Sequence, residues 1–319
     1  MSQLTERTRS SLHPPGSGRP SDPAWVLAVA VIAGLLLLDV LGGGVAYIAA
    51  ACGIGIAAFV VIRLRFGMRH VRHTPDGRDL AAIGITYVVV VALYRVAFTV
   101  VEADMVLFAF FAAGLVAGVA IPVVYTVWMR ARPLRSLGLD VKNLRRTAGF
   151  AIMFAAVQFS ITFLGYDLPK PSDWLPLVGM ALMVGTFESI FFRGFIQERL
   201  EAAFGPLVGV FGAAALYGAY HVGYGMDPEE CAFLFGLGVI YALAYATVHN
   251  VFVLWPLLTP MGSLFAQLQD GNLVGRLPWA SLMGFADVIA VFAFVLWRAQ
   301  RHERHVQSLV SAGTTLRPT

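Results

Sequence analysis

The sequence predicts an all-α protein, a polytopic transmembrane helical bundle of about eight to ten spans, and three observations lead there. The first is composition. Of 319 residues, 58% are hydrophobic and 13% charged, and the mean hydropathy is +0.73; soluble domains carry about 25% charged residues. The second is the series of nearly uninterrupted apolar runs at 25–41, 45–62, 80–101, 105–128, 147–165, 174–192, 203–222 and 231–248, followed by a short one at 250–266 and another at 279–297. Most reach or approach the roughly 20 residues that cross a bilayer core. The third is where the charge lies. Five arginines fall in 63–78, six basic residues in 130–146, four in the tail from Arg298 and three in the N-terminal tail, whereas "VEAD" (101–104), "GYDLPKPSD" (165–173) and "GYGMDPEE" (223–230) together contain one lysine.

Basic loops on alternate sides follow the positive-inside pattern. The net charge of +4 and pI near 9.2 therefore set topology and sit near anionic headgroups, and a nucleic-acid role is excluded. The expected protein is integral to the cell (plasma) membrane, with both termini cytoplasmic and the lipid bilayer as its surroundings.

Residues 1–24, rich in Ser, Pro, Gly and Arg, read as a flexible cytoplasmic tail. No apolar h-region leads to a small-residue cleavage site, so no removable signal peptide is expected. Residues 25–128 form an N-terminal four-span region whose buried charges are Asp39 and Arg95, and 129–146 is a basic cytoplasmic linker. A second membrane region follows over 147–266, of which 250–266 is either a short span or re-entrant; the last span and a basic cytoplasmic tail occupy 267–319. Cys52 and Cys231 lie far apart in sequence and read as small apolar packing residues rather than a disulfide or metal pair.

An ionisable side chain within a span marks a functional site by default, because burying it is costly. The set here is Asp39, Arg95, Glu188, Arg193, His221, His249 and Asp287. Arg95 reads as a structural cation paired with Asp39 or Asp287. Glu188 and Arg193 share one helix with Ser189, and at α-helical spacing Ser189 and Arg193 stack while Glu188 sits one step round. Beyond them the chain turns amphipathic, with Gln197, Glu198, Arg199 and Glu201, which places Arg193 within reach of the cytoplasmic surface and Glu188 more than a turn deeper. His221 ends the next apolar helix, with Tyr217 a turn earlier on the same face; His249 stands at a helix break.

"ESIFFRG" (188–194) followed by "YGAYH" (217–221) resembles the CPBP family, the CAAX-protease and bacteriocin-processing membrane endopeptidases, also called Abi proteins. Their first motif is Glu-Glu-x-x-x-Arg closing in Phe-Arg-Gly, matched at Glu188, Arg193 and Gly194, with Ser189 in place of the second glutamate. Their second is Phe-x-x-x-His, matched at His221 with Tyr217 for phenylalanine; the spacing of 33 residues (221 − 188 = 33) suits two antiparallel neighbours. The third, His-x-x-x-Asn or Asp, is absent. The stretch 241–258 runs into "TPMGSLF" where a histidine is expected near Thr259 or Pro260, and His249 has Val253 four residues later. The resemblance makes 147–266 a CPBP-like membrane protease core.

The resemblance implies hydrolysis of peptide bonds in a membrane-associated protein or peptide substrate. Glu188 would activate water as general base, and His221 would hold that water or a metal. His249 or Asn250 would stabilise the tetrahedral intermediate, and loss of one such donor costs about 10²–10³ in kcat. Arg193 would organise the cavity mouth or grip a substrate carboxylate. A divalent metal such as zinc would draw on His221, Glu188 and His249, whereas catalytic zinc ordinarily takes three protein ligands; metal-free chemistry explains the residues with fewer parts. Two other classes stay open: a family member without catalysis that serves as a membrane scaffold or immunity factor, and a transporter. An enzyme built from this set requires Glu188, His221 and His249 or Asn250 to converge; side chains more than about 10 Å apart would count against it.

Overall fold

A computed structural model of the chain describes residues 44–66, 76–101, 106–140 and 183–253 continuously, with isolated positions in 26–34, at 152 and in 286–308. The described residues form an all-α bundle without strands. Helix α1 is Gly44–Phe66 and α2 is Gly77–Val100; α3 runs over 106–129 and mixes α- and π-helical turns. A 3₁₀ turn at Leu134–Leu137 follows. Helix α4 covers 183–204, α5 is Pro206–Tyr220 with a 3₁₀ extension His221–Tyr224, and α6 is Pro228–Val248. Among the described residues, four segments are long and apolar enough to cross a membrane: Gly44–Leu64, Gly77–Val100, Ala109–Met129 and Pro228–Val248. Asp39, Asp287, most of 250–266 and the residues around Thr259 lie outside the described residues.

Local sequence explains the ends of these helices. Asp76 caps α2 by accepting from the Arg78 amide at 2.9 Å. Asp227 and Glu230 form a reciprocal capping box at the start of α6, with Pro228 in the first turn. Gly205, at φ +88°, separates α4 from α5, and Pro206 starts the next helix at once. Consequently α4 and α5 fold back antiparallel, and α6 packs on α5 and α1.

The core is aromatic where α2, α3, α4 and α5 meet, with Tyr94, Phe110, Phe187, Phe191, Phe192 and Tyr220 in mutual contact. Gly118 admits Phe187 here: a Cβ would lie 2.1 Å from that ring. The outward faces of α1 and α2 expose Val45, Leu64, Ile85, Val88 and Val100, an apolar surface suited to hydrocarbon.

Candidate active site

Helix α4 carries the "ESIFFRG" motif, and its local geometry departs from the α-helix that the sequence suggests. From Ser189 to Gln197 the chain is π-helical, closing with the Glu198 amide on the Arg193 carbonyl. Such hydrogen bonds join residues five apart, so Glu188 and Arg193 come onto one face. Both meet Tyr217 of α5: its hydroxyl donates to Glu188 Oε2 at 3.2 Å, and the Arg193 guanidinium lies 5.2 Å from its ring centroid. Gly194 completes the motif for a packing reason. A Cβ there would stand 2.1 Å from the Leu137 carbonyl oxygen, so only glycine lets the 3₁₀ turn approach.

The other wall comes from the end of α5. Tyr220 donates to Glu188 Oε1 at 2.6 Å, so each carboxylate oxygen holds one phenolic hydroxyl. His221 Nδ1 lies 2.9 Å from the Tyr217 carbonyl oxygen. A carbonyl only accepts, so Nδ1 carries the proton and Nε2 presents a lone pair. The imidazole packs tilted against the Tyr220 ring, centroids 4.0 Å apart, and against that of Tyr224 at 5.5 Å. Glu188, Ser189, Arg193 and His221 are all buried, at 6%, 2%, 2% and 6% exposure. Two donors remain unused: Ser189 Oγ and Arg193 Nη1 are buried without a hydrogen-bond partner among the described residues. Native interiors rarely leave such groups unsatisfied.

The structure thus gathers Glu188, Arg193 and His221 around Tyr217 and places His249 and Asn250 elsewhere. His249 Nδ1 is 2.9 Å from Glu198 Oε2, and its Nε2 is 3.6 Å from Glu201 Oε2. Glu198 stands ten residues beyond Glu188 on the same helix, about two turns along its axis. Asn250 donates to the Asp140 carbonyl at 2.7 Å and accepts from the Phe252 amide at 3.0 Å, which fixes the turn after α6. The expected convergence of His249 or Asn250 on Glu188 therefore does not occur, because the chain leaves α6 at the opposite end of α4. Zinc shared by Glu188, His221 and His249 does not fit this arrangement, and no third Asp, Glu, His or Cys ligand joins the first two among the described residues.

Two further expectations change. Arg193 lies inside the bundle rather than at a cytoplasmic mouth, because the π-helical turn rotates it towards Tyr217. Gln197, Glu198, Arg199 and Glu201, whose pattern reads as a solvated face, are buried. Burial pushes Glu201 up to about 7, opposed by the His249 imidazole and the Gln197 amide. Arg199 reaches Asp79 at 3.6 Å and Thr126 Oγ1 at 2.7 Å, and Asp79 also pairs with Arg132 at 3.0 Å. Arg95 is exposed on α2 without an ion pair among the described residues. The sequence reading missed Asp79, Glu198 and Glu201. The available signal was the i, i+3 spacing of two glutamates directly after a motif helix.

Fold and site together define a helical membrane protein with a carboxylate and a histidine sealed in an aromatic chamber. Residues 169–258 match the family described as type II CAAX prenyl endopeptidase Rce1-like, a branch of the CPBP family, and this match supports a CAAX-type intramembrane endopeptidase at the level of the family. Comparison with curated proteins and with solved structures returned no match.

Proposed function

We propose that the chain hydrolyses peptide bonds of a membrane-associated protein or peptide, with Glu188 as the base that activates water. The observation that carries this reading is the pairing of a buried carboxylate with two unused buried donors, Ser189 Oγ and Arg193 Nη1, on the same helix. A carboxylate offers about four lone-pair positions; Tyr217 and Tyr220 take two, which leaves room for a water. His221 Nε2 accepts a second hydrogen bond from that water, its tautomer being set by the Tyr217 carbonyl.

In this mechanism Glu188 takes the proton as the water oxygen attacks the scissile carbonyl. The negative charge develops on the carbonyl oxygen, where Ser189 Oγ and Arg193 Nη1 donate to it. Glu188 then returns the proton to the departing amine. Ser189 replaces an acid in the family's motif, and here it serves as a donor. His249 and Asn250 take no part.

A second reading, a member without catalysis that acts as a scaffold or immunity factor, draws support from the two tyrosines on Glu188 and from the remote His249 and Asn250. Peptide termini of membrane and secreted proteins, compared in wild-type, deletion, Glu188→Gln and His221→Ala strains, separate the two. Loss of the same cleaved termini in the deletion and in both expressed point variants supports hydrolysis. A deletion phenotype that both point variants restore to wild type sinks it in favour of the scaffold.

A further inference from the structure

The cluster at the far end of α4 has the composition of a cation site. One carboxylate oxygen each of Glu198 and Glu201 and one ring nitrogen of His249 lie within 4.8 Å of one another. The glutamates sit at i and i+3 on α4, so both project to one face. His249 arrives from the end of α6, where it holds the left-handed conformation at φ +46°. Two ligands bound at about 2.1 Å to one ion stand up to about 4.2 Å apart, so the three groups need only a small contraction to share one.

An independent observation points the same way. Gln197 is fully buried; its Nε2 donates both to Glu201 Oε1 at 2.7 Å and to the Ala242 carbonyl at 2.8 Å. Its Oε1, on the amide that touches Glu201, is buried and has no hydrogen-bond partner among the described residues. A buried amide oxygen on the side chain that touches Glu201, with no donor among the described residues, is a group a bound cation would use. The charge balance agrees. A protonated His249 offsets one of the two buried carboxylates, whereas a divalent ion with neutral imidazole offsets both. The adjacent cation, Arg199, directs its donors to Asp79, Thr126 and the Phe195 carbonyl.

We propose that Glu198, Glu201 and His249 bind one divalent transition-metal ion of the zinc or manganese class, with Gln197 Oε1 as an additional donor. Imidazole with carboxylates selects such ions over calcium. The Tyr245 hydroxyl, 3.0 Å from Glu198 Oε2, orients that carboxylate as outer-shell partners do. The ion would lock the end of α4 to the turn after α6. Because Glu188 takes no part, the site stands whether or not the chamber is catalytic.

The test uses full-length protein in detergent, its tag removed, stripped with a chelator and then titrated with Zn²⁺ or Mn²⁺. Retained metal is counted by mass spectrometry and affinity measured by competition with a chromogenic chelator. Wild type and Glu188→Gln should each retain one ion with equal affinity. Glu201→Gln and His249→Gly should weaken binding by at least about 100-fold; glycine suits the left-handed backbone at 249, and circular dichroism of each variant checks that it is folded. Wild-type Co²⁺ absorption bands of a nitrogen–oxygen site provide a readout without any variant. No retained metal and no Co²⁺ bands in wild type would overturn the site, as would unchanged affinity in His249→Gly.

Discussion

The two ends of α4 bury carboxylates in opposite ways. At one end Glu188 is held by the neutral hydroxyls of Tyr217 and Tyr220, with Arg193 over a tyrosine ring and in no ion pair among the described residues. At the other, Glu198 and Glu201 face His249, and Asp79 gathers Arg130, Arg132 and Arg199. A carboxylate locked to a permanent cation makes a poor base, because its proton affinity is spent on the pair. Neutral hydroxyl donors fix the position of Glu188 without an ion pair. The charged end serves instead to join α2, α3, α4 and the turn after α6. If Glu188 is the base proposed above, one helix separates chemistry from anchoring by the type of partner at each end.

The sharpest way to break this contrast is Glu188→Gln, which keeps the shape and an acceptor for one of the two tyrosine hydroxyls but removes the base. Cleavage in proteoliposomes should fall about 10²–10⁴-fold while the thermal midpoint in detergent holds. Equal activity would assign Glu188 to structure and erase the distinction. Asp79→Asn should do the reverse. It leaves Arg199 and Arg132 without their shared acid, and should cost about 3–5 kcal/mol of stability, read from unfolding in detergent. Ser189→Ala should lower kcat by about 10²–10³ with little change in KM if its hydroxyl meets the developing oxyanion; a rise in KM alone would assign it to substrate binding.

Gly194→Ala tests the close approach of the 3₁₀ turn to α4. The added methyl meets a backbone carbonyl that cannot rotate away, and overpacking of this kind costs about 1–3 kcal/mol. The smallest effect concerns Asp76, whose carboxyl the Arg78 amide, aided by Arg130, holds below its ordinary range. A depressed folded-state value means that its contribution is present above the ordinary aspartate value, about 3.9, and is lost as pH falls through the folded one. Asp76→Asn should therefore lower the unfolding midpoint slightly at pH 7, and the difference from wild type should close on acidification below that range. A gap independent of pH would assign the effect to the cap alone.

Much of the architecture follows from sequence because the bilayer leaves few choices. Long apolar runs must be helices, every backbone group being satisfied within its own segment, and basic loops mark one side. For the same reason Glu188 and His221 stand out by themselves: a polar group in such a run has to be explained. The spacing of 33 residues suits two antiparallel neighbours, and the turn at Gly205–Pro206 makes α4 and α5 such a pair.

What the tertiary structure decided is which polar groups share a chamber. The π-helical stretch from Ser189 to Gln197 brings Glu188 and Arg193 onto one face, and a periodicity of 3.6 residues cannot anticipate a change of period. The distribution of partners is likewise non-local: His249 meets Glu198 across 51 positions and Arg199 meets Thr126 across 73. Composition makes Glu198, Arg199 and Glu201 look like a solvated face. Only the packing of α2, α3 and α6 around them makes that face an interior, because burial belongs to the neighbours a side chain acquires rather than to the side chain itself.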